Sequence, residues 1–84
     1  LGYVRLTALV SDAEGGFDYP ACFVVEHPDI QEVVSFTATY NGQAQAGERI
    51  EAAGQLEIDV EGKQRLVVGS NREAIGEFIR VIGV

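Results

Sequence analysis

The chain is short of the residues that carry most site chemistry. One cysteine, Cys22, stands among 84 residues, so no disulfide can form within the chain. In the apolar run "ACFVVE" it reads as a small buried hydrophobe of a reducing compartment. His27 is the single histidine, and with Cys22 alone beside it a zinc site would have to borrow carboxylates or a partner's ligands. No metal site is therefore expected. No apolar run approaches the ~20 residues that cross a bilayer as a helix, and the opening "LGYVRLTALVSDAEG" lacks a signal-type cleavage pattern. The chain reads as soluble, cytoplasmic and without a membrane partner. Positive charge is scarce too: 6 Lys and Arg stand against 13 Asp and Glu, a formal net charge of −7. Such a chain repels phosphate backbones at long range, which disfavours nucleic acid as a partner.

What is present is enough for one core. The hydrophobic share is 46% and the mean hydropathy +0.08, too apolar for a disordered segment and too short a chain for two domains. Residues 1–84 read as a single small domain. The chain opens on Leu1 rather than Met and enters a strand pattern almost at once, which reads as a domain excised from a larger chain.

Period-two alternation recurs along the sequence. In "YVRLTALVS", Val4, Leu6, Ala8 and Val10 share one face. "DAEGGFDYP" is rich in turn formers, and "ACFVVE" is apolar on both faces, as a central strand is. After the loop "HPDIQE", "VVSFTATY" at 33–40 places Val34, Phe36, Ala38 and Tyr40 on one side, which makes Phe36 a core residue. A loop at "NGQAQAGER" leads to "AGERIEAAGQLEID", where Ile50, Ala52, Gly54, Leu56, Ile58 and Val60 alternate with polar residues. A helix would scatter these all round, so the segment is a strand. "EGK" turns it back into "QRLVVGS". In "NREAIGEFIRVIGV", Asn71 is placed to cap one helical turn through "REAI" before a final strand in "EFIRVI"; a single amphipathic helix is the alternative.

Five or six short strands separated by turn signals predict an all-β fold, a small antiparallel barrel. Closing one curved sheet on itself removes the open edges that two small sheets would leave. A long strand in such a barrel must bend, and a glycine on its inward face permits both the bend and the close approach of a neighbour. Gly54 holds that place, and "GERIEAAGQLE" resembles a strand of OB-fold barrels.

The order of segments carries a further resemblance. From about Gly2 to Ile82, "FDYPA", "YNGQAQAGERI" and "RLVVGS" resemble the C-terminal part of predicted archaeal-type nucleotidyltransferases of the polymerase-beta-like superfamily. That family's catalytic signature is a Gly-Ser followed by two aspartates one residue apart that hold divalent metals. Gly69-Ser70 is the only match, and downstream of it there is no aspartate, only Glu73 and Glu77, four apart. Two-metal chemistry needs carboxylates converging on ions about 4 Å apart, which this spacing does not supply. The resemblance thus implies a non-catalytic accessory barrel, with catalytic, cofactor-binding and metal residues all absent from this domain. The implied partner is the catalytic domain of the same parent chain, or a second copy of the barrel.

Other constellations are weaker. Ser11, Ser35 and Ser70 lack a positioned base, and Asp12, Glu14 and Asp18 lack the spacing of a calcium loop. Single-strand binding is the alternative function: Phe17, Tyr19, Phe23, Phe36 and Tyr40 are candidate stacking platforms, and Arg5, Arg49, Lys63, Arg65 and Arg80 candidate phosphate contacts. Against it, Arg49 and Arg65 have Glu51, Glu57 and Asp59 as expected cross-strand neighbours, so a local basic patch is what this alternative requires. A docking surface would draw on Leu9, Tyr19, Ile79 and Val81.

Overall fold

A computed structural model of the chain describes residues 2–14, 20–36, 44–70 and 75–83. Six strands form among the described residues: β1 (Tyr3–Glu14), β2 (Ala21–Glu26), β3 (Glu32–Ser35), β4 (Arg49–Ile58), β5 (Gln64–Val68) and β6 (Phe78–Gly83). Their order is β1-β2-β3-β5-β4-β6, and β4 also pairs with β1. That second pairing closes the first five strands into an OB-like barrel, with β6 laid outside it along β4.

Closure asks β1 and β4 each to serve more than one partner. Tyr3–Leu9 of β1 runs antiparallel to β4, while Leu9–Glu14 runs antiparallel to β2. Between these duties the register slips between Val10 and Asp12, and the extra residue, Ser11, donates its hydroxyl to the Val24 carbonyl. Such a bulge bends its strand. On β4, Arg49–Ala53 pairs with β6 and Gln55–Ile58 with β5. Gly54 sits at the change of partner. A Cβ there would fall on the Val67 carbonyl oxygen and 3.1 Å from Val68 Cγ2, so the absent side chain is what lets β5 cross so close.

The core is the barrel interior. Ala8, Val10, Ala21, Phe23, Val25, Val33, Ile50, Ala52, Leu66 and Val68 are buried together, joined by Ile30 from the β2–β3 loop and Ala44 ahead of β4. The inward face of β4 runs as expected through Ile50, Ala52 and Gly54 to a half-buried Leu56, but Ile58 and Val60 pass the barrel mouth and are exposed.

Three expectations are corrected. The barrel is not wholly antiparallel, because β3 and β5 run parallel. The strand expected at 33–40 ends at Ser35, with residues 37–40 outside the described ones. Phe36 is not core: it is 44% exposed, whereas Phe23, offered as a stacking platform, is 1% exposed and packed inside. The inward residues of β3 are Val33 and Ser35, so the face of Val34 and Phe36 is the outer one. The C-terminal alternation forms strand β6, not a helix; the capped turn at 71–74 lies outside the described residues.

Candidate functional site

On the outer side of β2, β3 and β5 the side chains stand in rows across the sheet. Pairing of Cys22 with Val34 and of Val34 with Val67 sets an apolar row across three strands. Solvated outer faces are normally polar, yet Val34 and Val67 are only 6% and 4% exposed. The next row is charged, because Glu32 pairs with Arg65 and Arg65 with Glu57. The Arg65 terminal nitrogens lie 3.9 Å from carboxylate oxygens of Glu32 and Glu57, longer than a hydrogen bond. Its Nε is buried and, among the described residues, has no hydrogen-bond partner. On the other side of the apolar row, Phe36, Pro20 and Ser70 complete the walls of a cleft of about 370 Å³.

The outer face of β1, β4 and β6 carries the opposite kind of order. Arg5 Nε donates to Glu51 at 2.8 Å, and Arg80 donates to the other oxygen of the same carboxylate. Both guanidinium groups also lie over the Phe78 ring, 5.7 and 5.6 Å from its centroid. Glu51 thus ties β6 and β1 to the strand between them. The Tyr3 hydroxyl adds a bond to the Gly76 carbonyl, and Glu77 accepts from the Gly69 amide and from Gln55.

Hydrogen bonds from Arg5 and then Arg80 hold the Glu51 carboxyl below its ordinary titration range. In the β4–β5 turn, the Lys63 amide chiefly, and the Glu61 amide after it, do the same for Asp59. A carboxyl whose pKa is depressed by folding contributes stability above its unfolded value, and that contribution is lost as pH falls through the folded one. The urea midpoint of the barrel is therefore expected to fall between roughly pH 5 and pH 2. Glu51→Gln should lower the midpoint at neutral pH and flatten this acid limb; acid limbs of the two proteins that stay parallel would refute the assignment.

The remaining candidates stay apart. His27 Nδ1 accepts from the Asp29 amide within its own loop, where His27, Asp29, Gln31, Gly62 and Gln64 line a separate depression of about 290 Å³. Ser11 serves the bulge, Ser35 is buried, and Ser70 edges the outer cleft. Asp12 is exposed on β1, while Asp18, Phe17, Tyr19 and Tyr40 lie outside the described residues. No three His, Cys, Asp or Glu side chains converge among the described residues. Of the expected docking residues, Ile79 is buried and Leu9 half-buried, leaving Val81 exposed next to Ile82; Ile75, ahead of β6, is exposed as well. The outer cleft escaped the sequence reading, although its signal was there in "ACFVVE" and "RLVV", strands apolar on both faces.

No family model matches the chain. It is similar to an uncharacterized protein, MJ1086, of Methanocaldococcus jannaschii, 44% identical over 88 aligned positions that take in 96% of this chain and 26% of that protein. The chain thus spans about a quarter of the length of the relative it matches. No helix among the described residues is long and apolar enough to cross a membrane.

Proposed function

We propose that the barrel is a non-catalytic accessory domain of a larger nucleotidyltransferase, docking through β6 onto the catalytic part of the same parent chain. The observation that carries the docking is the exposed apolar residues at the end of that strand. Val81 and Ile82 are 38% and 45% exposed, and β6 has one hydrogen-bonded neighbour, β4, among the described strands. Exposed apolar residues on an edge strand are a cost to an isolated domain and an asset to an interface. The length of the relative supports the same reading, since about three quarters of MJ1086 lies beyond the matched segment. Three of the described carboxylates fit a supporting role: Glu51, Asp59 and Glu77 are committed to structural hydrogen bonds.

The test separates the barrel from the rest of its parent. Mixed in solution, the two parts should associate, and the double variant Val81→Asp, Ile82→Asp should weaken the association about tenfold or more while leaving the unfolding midpoint of the barrel nearly unchanged. Nucleotide transfer should stay with the other part. Absence of association, indifference to the double variant, or self-association of the barrel through β6 would overturn the docking.

Single-strand binding by the barrel alone is the second reading. Among the described residues, Arg5, Arg80 and Arg49 share the outer face of β1, β4 and β6 with the carboxylate of Glu51 and, against Gln55, that of Glu77, three cations to two carboxylates on an acidic chain. An oligonucleotide shift that falls steeply with salt and is lost in Arg5→Gln would favour it.

A further inference from the structure

We propose that the cleft over β2, β3 and β5 binds a nucleobase, presented by a nucleoside rather than by a polynucleotide strand. The proposal stands on the cleft itself and holds whatever parent chain the barrel serves. Cys22, Val34 and Val67 are held in register across three strands, so the floor is one continuous apolar row. Phe36 rises at its edge with 44% of its surface open. An apolar floor flanked by an aromatic side chain accepts a planar ring by stacking and edge contacts. The volume of about 370 Å³ lies within the range of roughly 300–1,000 Å³ common to small-molecule sites.

The polar groups narrow the choice of ring. The Arg65 side chain is 35% exposed, and its terminal nitrogens lie 3.9 Å from the Glu32 and Glu57 carboxylate oxygens, beyond hydrogen-bond distance. A ligand that brings an acceptor to the cleft can take up those donors. Glu57 lies beside Arg65, partly exposed, and offers an acceptor for a ligand N–H; the Ser70 hydroxyl at the opposite wall does either. A planar ring bearing an acceptor and a donor on one edge is what a nucleobase presents. The charge of the site argues for the base and against the phosphates: among the described residues Glu32 and Glu57 flank the cation Arg65, and the chain carries a net −7. A polyanionic strand is repelled where a neutral base is not.

Cys22 supplies the reporter, as the chain's single thiol, set half-buried in the cleft floor. Adenosine, guanosine, cytidine and uridine, their monophosphates and a short single-stranded oligonucleotide would each be titrated into the isotope-labelled barrel. At least one nucleoside should shift the amides of Cys22, Val34, Phe36 and Arg65 saturably and slow alkylation of Cys22, and its monophosphate should bind no more tightly. Arg65→Lys keeps the charge but removes the paired terminal nitrogens of the guanidinium; this variant, and separately Phe36→Ala on the exposed wall, should each weaken binding about tenfold. Phe36→Ala keeps the test sound if Arg65→Lys perturbs folding. The proposal is overturned if no nucleoside shifts or protects these residues, if binding ignores both variants, or if the oligonucleotide alone binds.

Discussion

Gly54→Ala is expected to destabilise the barrel by about 3 kcal/mol, at the upper end of the usual cost of overpacking. The sign is what makes the experiment informative. In an ordinary strand interior, glycine is the weaker residue by roughly 0.5–1 kcal/mol, so the same substitution would stabilise. Here the added Cβ meets the Val67 carbonyl oxygen, with Val67 C 2.9 Å away. Backbone cannot rotate aside as a side chain can, so β5 must shift from β4 at the point where β4 exchanges β6 for β5. For a domain whose whole stability is on the order of 4–13 kcal/mol, this is a large fraction. The check is urea unfolding, with the midpoint falling and the slope preserved; a rise in the midpoint would mean that the two strands do not approach so closely.

Phe23→Ala is expected to cost about 3–5 kcal/mol, and Phe36→Ala no more than about 0.5 kcal/mol. Phe23 is among the largest fully buried side chains and packs with Val10, Val33 and Leu66 inside the barrel, whereas Phe36 stands on the outer surface. Removing Phe23 loses the transfer energy of the ring and leaves a cavity that a closed barrel, tied on all sides, can collapse only in part. The same pair of substitutions should invert in a ligand titration, where Phe36→Ala matters. Equal losses of stability would place β3 in the wrong register, because a slip by one residue exchanges its inner and outer faces.

How far these features were readable depends on whether the controlling contact is local. The alternation of Ile50, Ala52, Gly54 and Leu56 and the turn after Asp59 are local, and β4, β5 and the inward glycine were legible from them. The final strand was legible from the β-forming run "EFIRVI". The direction of β3 against β5 was not, since period two says which face a residue takes and nothing about the neighbour's direction. Phe36 was misassigned for a related reason: Val33 and Val34 are both apolar, so the sequence offered two phases for the strand, and only the pairing with β2 and β5 decides between them. The outer cleft arises from residues far apart in the chain, Cys22, Val34 and Arg65, which become neighbours through register alone. The ion pairs of Glu51 with Arg5 and Arg80 are of the same kind, although mixed charge on that face was foreseen.

Docking of the barrel on its parent through β6, as proposed above, can be followed by amide hydrogen exchange of the isotope-labelled barrel, alone and after addition of the rest of the parent chain. Exchange should slow and signals shift along Phe78–Gly83, with β2 and β3 unaltered. No change, or protection centred on β2 and β3 with β6 untouched, would contradict it.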